Sequence, residues 1–198
     1  MSERSPRSAV AAAAVVAGLL GSGVLVWQGS NAAFSDTTTN PDNNWSSGTV
    51  VLTDNRGAAM FDTAAQPIKP DDPHQRCIQV SYGGDLAAEV RLYGAAYTDD
   101  GLAADLALRI EEGSGGVFGT AECTDASGFT PTAVTGLIFD GTLAGFAVRS
   151  SFAQGVGVWA PASAGSRVYR ITYELTGSDA SLQGRTAAID FVWEAQNS

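Results

Sequence analysis

Few residues in this chain are able to do covalent chemistry. It has one histidine, His74, and one lysine, Lys69, among 198 residues. A serine or cysteine nucleophile needs a base beside it. His74 is the only imidazole available, and it follows the Pro/Asp-rich stretch Lys69-Pro70-Asp71-Asp72-Pro73. No G-x-S-x-G elbow occurs, and the zinc-protease signature H-E-x-x-H needs two histidines. Lys69 is followed by Pro70, so no phosphate-cradling loop ending in Lys-Ser or Lys-Thr exists. Cys77, Cys123 and His74 do not complete a tetrahedral zinc set. Among the carboxylates, Glu111-Glu112 are consecutive at the end of an alternating run, so they point to opposite faces of a strand. Asp71-Asp72 and Asp99-Asp100 are loop pairs that lack the spaced oxygen ligands of a calcium loop; they read as solvated turns, with weak calcium binding at either as the alternative. Two carboxylates distant in sequence can meet to hydrolyse a sugar, but Trp45, Trp159 and Trp193 are spread out and do not suggest a sugar cleft. The expectation is a chain with no catalytic, cofactor-binding or metal-ligating set.

The chain opens with a leader. Met1–Ser8 carries Arg4 and Arg7, and Ala9–Val26 follows without a charge. Ser30-Asn31-Ala32 then places small residues where a signal peptidase reads them, which predicts cleavage between Ala32 and Ala33 and a signal-peptide helix over 1–32. The alternative is a retained membrane anchor, since the run approaches the ~18–20 apolar residues that span a bilayer. Gly18, Gly21 and Gly23 lower its hydrophobicity. The arginines are not adjacent, so the leader is not of the twin-arginine type.

The remainder is one domain in size. Losing Glu3, Arg4 and Arg7 moves the formal charge from −10 to −11. That acidity is scattered, and it repels phosphate backbones and anionic lipid heads, which excludes nucleic acid and membrane surfaces as natural partners. In an exported chain, the two cysteines, Cys77 and Cys123, read as a disulfide. Two unrelated buried thiols are the alternative. Closing such a loop contributes roughly 4 kcal/mol in the chain-entropy view.

Period-two alternation dominates the mature part. Tyr169, Ile171, Tyr173 and Leu175 share one strand face against Arg170, Thr172, Glu174 and Thr176. Ala187, Ile189, Phe191 and Trp193 do so against Ala188, Asp190, Val192 and Glu194. Ile78/Val80/Tyr82, Val90/Leu92 and Leu106/Leu108/Ile110 repeat the pattern, and Thr49–Thr53 makes a shorter strand with Val50 and Leu52 inward. Gly- and Asp-rich punctuation separates these runs, which predicts an all-β antiparallel sandwich over 48–198 with one face of each sheet packed and the other solvated. One weak helix is expected, at Thr142–Ala153. Residues 33–47 stand apart: Phe34, Thr37, Thr38, Thr39, Pro41 and Trp45 give a β-prone arm that has no partner of its own. It reads either as a loose terminus or as a strand awaiting an edge.

Ala32-Ala33-Phe34-Ser35-Asp36 and Trp45-Ser46-Ser47-Gly48-Thr49-Val50-Val51-Leu52 resemble the start of the TasA/camelysin family of exported bacterial proteins. Pro67-Ile68-Lys69-Pro70-Asp71-Asp72 resembles that family's Lys-Pro-Gly-Asp turn, with Asp71 where glycine is usual, and Gly84-Asp85-Leu86-Ala87 and Phe191-Val192-Trp193-Glu194-Ala195 also fit. The resemblance implies a leader handled by a SipW-type signal peptidase and a jelly-roll-like sandwich. It also implies a secreted subunit of an extracellular or biofilm-matrix filament, joined head to tail by donating its N-terminal strand to the next copy. On this reading the arm, with Phe34 as anchor and Thr37–Thr39 behind it, is the polymerising element; the partner is the chain itself, with an accessory protein optional. The chain departs from TasA in its shorter length, its single lysine and its cysteine pair. Camelysin relatives imply a metalloprotease as an alternative, which the single histidine opposes, and a monomeric adhesin or binding sandwich is a third reading.

Overall fold

The computed structural model describes residues 35–39 (as backbone), 51–61, 68–132, 136–178 and 180–197. The predicted leader, the cleavage pair Ala32/Ala33, and Phe34, Trp45, Thr49 and Val50 lie outside the described residues.

The described strands are β1 (Ser35–Thr39), β2 (Leu52–Asp54), β3 (His74–Tyr82), β4 (Ala88–Asp99), β5 (Leu106–Ser114), β6 (Thr130–Pro131), β7 (Leu137–Thr142), β8 (Val156–Trp159), β9 (Gly165–Leu175) and β10 (Ala187–Asn197), with one short helix, α1 (Leu143–Ala147). They form two antiparallel sheets. The first runs β1-β10-β4-β8; the second runs β2-β3-β9-β5-β6, with β7 also paired to β5. The fold is an all-β sandwich.

The alternation explains the layers. From the six-stranded sheet, Ile78, Val80, Tyr82, Leu108, Ile110, Tyr169 and Ile171 are buried; Val90, Leu92, Trp193 and Ala195 meet them from the four-stranded sheet. β10 lies against β4 along its length, with one irregularity between Ala188 and Asp190. There Ala96 on β4 has φ 48°, so the extra residue is accommodated as a bulge. Close packing across this pair uses Gly94: a Cβ there would lie 2.5 Å from Ile189 Cδ1, so the end of the Ile189 side chain would have to shift.

Two expectations need correction. The helix is confined to Leu143–Ala147, and a separate 3₁₀ turn spans Phe152–Gln154. Thr142 caps the start by accepting the Gly145 N–H at 3.1 Å, but Gly145 is a poor helix former and the pattern past Ser150 lacks the propensity to extend it. The outer face of the six-stranded sheet is also not uniformly solvated. Cys77, Cys123, Phe129 and Val168 make a second buried cluster there. The disulfide Cys77–Cys123, with Cα atoms 5.6 Å apart, joins positions 46 apart in sequence and ties the excursion between β5 and β6 to β3. Under that cover lies Arg170, which the alternation places on a solvated face. Its Nε donates to Glu111 Oε2 at 2.8 Å, its Nη1 donates to Asp125 Oδ1 at 2.5 Å, and its guanidinium stacks 4.3 Å from the Phe129 ring centroid. A buried charge is tolerated only when it is paired in this way.

Candidate functional site

His74 opens β3 half-buried between two acids, with Nδ1 3.3 Å from Glu122 Oε1 and Nε2 3.7 Å from Asp72 Oδ2. Glu122 also pairs with the Arg76 guanidinium and accepts the Gln75 N–H at 2.5 Å. Burial works against this carboxylate, yet Arg76, the Gln75 N–H and His74 together hold it below its usual pKa. Among the described residues, no hydroxyl or thiol nucleophile is a hydrogen-bond partner of this cluster. Among the described residues, no three His, Cys, Asp or Glu side chains converge as metal ligands. At the Asp99-Asp100 turn, Asp99 Oδ1 accepts the N–H groups of Gly101, Leu102 and Ala103 at 2.8–3.0 Å, and the Ala103 and Gly101 bonds help depress its pKa. Asp100 Oδ1 accepts the Thr186 N–H at 2.6 Å. These carboxylates hold a turn together, in line with the solvated-turn reading. Glu111 and Glu112 do point to opposite faces, but neither reaches water: they are 4% and 1% exposed.

The arrangement with functional content is at the sheet edges. An edge strand presents unpaired N–H and C=O groups to any other strand that can reach it. The outer strands β2, β6 and β8 have three, two and four residues, and β7, beside β5, has six. β8 is obstructed further. Gly157 has φ 109°, and the Val158 N–H donates to Glu112 Oε1 at 3.3 Å instead of to a strand. Glu112 sits at the inward parity of β5, bridges the two sheets, and is hydrogen-bonded by Tyr169. Burial raises its pKa, against the opposing pull of the Val158 N–H and Arg167. The signal for this acid was present in the sequence: Leu106, Leu108, Ile110 and Glu112 share one parity.

β10, with eleven residues, lies next to β1, the outermost strand of its sheet. One side pairs with β4. The other is covered over 192–196 by β1, antiparallel, with Ser35 opposite Gln196, Thr37 opposite Glu194, Thr38 opposite Trp193 and Thr39 opposite Val192. The three threonines thus fall on a single strand against the most buried stretch of β10, where Trp193 and Ala195 are fully buried. Glu194, facing Thr37, is held from both sides: Tyr93 donates to Oε2 and Gln196 to Oε1, each at 2.8 Å. Burial, then this bond to Glu194, pushes the Tyr93 phenol well above its usual pKa. Over Ala187–Phe191 the only strand paired with β10 among the described residues is β4.

The sequence marks Thr37–Thr39 as β-prone but not the strand they pair with, because nothing in an alternating pattern says which strand ends a sheet. No protein-family model matches the chain, and no curated protein sequence matches it.

Proposed function

We propose that this chain is a non-catalytic structural subunit of an extracellular filament. Copies are joined head to tail when the arm of one lies on the β10 edge of the next. The observation that supports this reading is the five-residue antiparallel register of β1 on β10, with β1 the outermost strand of its sheet and separated from the rest of the chain by a long connection. Strand addition of this kind draws affinity from main-chain hydrogen bonds and specificity from alternate side chains. Twelve residues, Asn40–Val51, separate β1 from β2. When extended they span about 40 Å, enough for β1 to be exchanged between neighbours. Such an exchange is heterologous, so it propagates as an open polymer.

The TasA-like resemblance supports the same reading and adds a jelly-roll topology, a leader removed at Ala32/Ala33 and a place in a biofilm matrix. In this account, cleavage frees the arm only after export, when polymerisation does no harm to the cell. The experiment is negative-stain microscopy with sizing of protein beginning at Ala33 beside protein beginning at Pro41. Fibres from the first and folded monomers from the second are expected. Fibres from both would remove the arm from the mechanism, and monomers from both would favour a lone binding module.

A further inference from the structure

The excursion between β5 and β6 is a loop whose two ends meet. A Cβ at Gly115 would lie 2.4 Å from the Gly128 carbonyl oxygen, so the chain leaves β5 and returns to β6 through almost one point. Both glycines have positive φ, 71° and 92°, which suits glycine at such a closure. Loops closed in this way are compact units. No residue from Gly115 to Gly128 belongs to the main core; Cys123 instead joins Cys77, Phe129 and Val168 in the outer cluster. Beside the disulfide, polar contacts hold the loop down. Arg56 Nη1 donates to the Gly119 carbonyl at 2.6 Å, Glu122 accepts the Gln75 N–H, and Asp125 accepts from Arg170. The Glu122 and Asp125 side chains are exposed, where ion pairs contribute little. Both sulfurs are buried, and Gly116 lies against them: a Cβ there would be 2.8 Å from Cys123 Sγ and 3.4 Å from Cys77 Sγ.

We propose that this loop is a redox-released cover, which a dithiol reductant opens while both sheets stay folded. One thiolate of the reductant attacks Cys123 Sγ, forming a mixed disulfide and releasing Cys77 as a thiolate that takes up a proton. The reductant's second thiolate then attacks its first sulfur, closing a cyclic disulfide and releasing Cys123, which is protonated in turn. The reductant loses two electrons and two protons, and the protein gains two thiols. Exchange requires access to a sulfur, so the loop must first lift at Gly116. With the disulfide cut, the outer cluster and the polar contacts are left to hold it, and a unit outside the main core opens without that core. Opening uncovers Val168, Phe129 and the Arg170–Glu111 pair, so the state of the cysteine pair decides whether that face of the six-stranded sheet is available. The inference does not depend on filament assembly.

The test is hydrogen exchange on the intact protein before and after treatment with dithiothreitol, with the released thiols counted by alkylation. The Cys123 and Gly128 amides are bonded to the Gln75 and Asp125 carbonyls in the oxidised protein. After reduction they should exchange at least about tenfold faster, while the amides of β4 and β10 keep their protection. Arg56→Met removes the tie to Gly119. It should speed reduction about fivefold, the factor of one ordinary hydrogen bond, although loss of a cation by itself slows an attacking thiolate. Four results would each overturn the proposal: no thiols released from the folded protein, loop protection that survives reduction, loss of β4 and β10 protection along with it, or no acceleration by Arg56→Met.

Discussion

Replacing Glu112 by glutamine should make this protein more stable at alkaline pH. The side chain is 1% exposed and sits between the sheets, with the Val158 N–H 3.3 Å from Oε1 and the Tyr169 hydroxyl also bonded to it. Burial disfavours its charged form, while Arg167 and Arg91 favour it. The net direction is upward from 4.5. The folded state therefore keeps a proton that the unfolded chain has already released. That contribution is fully present below the unfolded pKa and is lost as pH rises through the raised folded one. Glutamine keeps the oxygen that Val158 needs and cannot ionise. From the usual cost of a desolvated polar group, Glu112→Gln should gain about 1–2 kcal/mol at pH 8. For a domain of this size, that gain raises Tm by about 3–6 °C. At pH 4 the two proteins should differ by less than about 0.5 kcal/mol. Urea unfolding followed by tryptophan fluorescence from pH 4 to 8 measures this, because the difference between the proteins cancels every other titrating group. If the variant is the less stable protein at pH 8 and has the same pH slope as the original, Glu112 is a net-favourable ion partner of Arg167 and the reasoning fails.

Gly94→Ala should destabilise by about 1–3 kcal/mol, the usual cost of overpacking, since its Cβ would lie 2.5 Å from Ile189 Cδ1; a calorimetric Tm tests this, and Ile189→Val in the same chain should restore part of the loss. Replacing Cys77 and Cys123 together by serine should cost about 2–5 kcal/mol and expose Phe129 and Val168, which would raise dye binding to apolar surface; an unchanged denaturation midpoint would mean that the covering excursion holds without its staple. Arg170→Ala should cost about 3–5 kcal/mol by taking from buried Glu111 its 2.7 Å partner and leaving it only Arg109 at 3.3 Å, whereas Arg170→Met with Glu111→Leu should lie much closer to the parent protein in urea unfolding.

The sandwich was legible from sequence because each sheet buries one face. Ile78, Val80, Tyr82, Tyr169, Ile171 and Trp193 fall at the inward parity that alternation assigns to them. Legibility stopped where a second layer intervened. Arg170 and Glu111 have the parity of a solvated face, and only the tertiary placement of Cys123, Asp125 and Phe129 shows that they are covered. The disulfide was legible from an even cysteine count in a chain read as exported, whereas its role of pinning a loop over a sheet was not. Edges were the hardest to read. Pairing partners are chosen by the whole topology, so the β10 sequence gives its buried face but not its exposed side. Glu112 shows the opposite failure: its parity was visible, but an acid at a core position gives no hint of the backbone N–H it serves until β8 is in place.

If β10 takes an arm from another molecule, β1 of one copy lies beside β10 of the next. Thr37 and Glu194 are register partners, so Thr37→Cys and Glu194→Cys can be placed in separate proteins and the two mixed under filament-forming conditions. After mild oxidation, a covalent heterodimer should form only in the mixture and only in the pelleted polymer. Polymer that yields no cross-link between the two variants, although a single chain carrying both substitutions closes the bond internally, would contradict it.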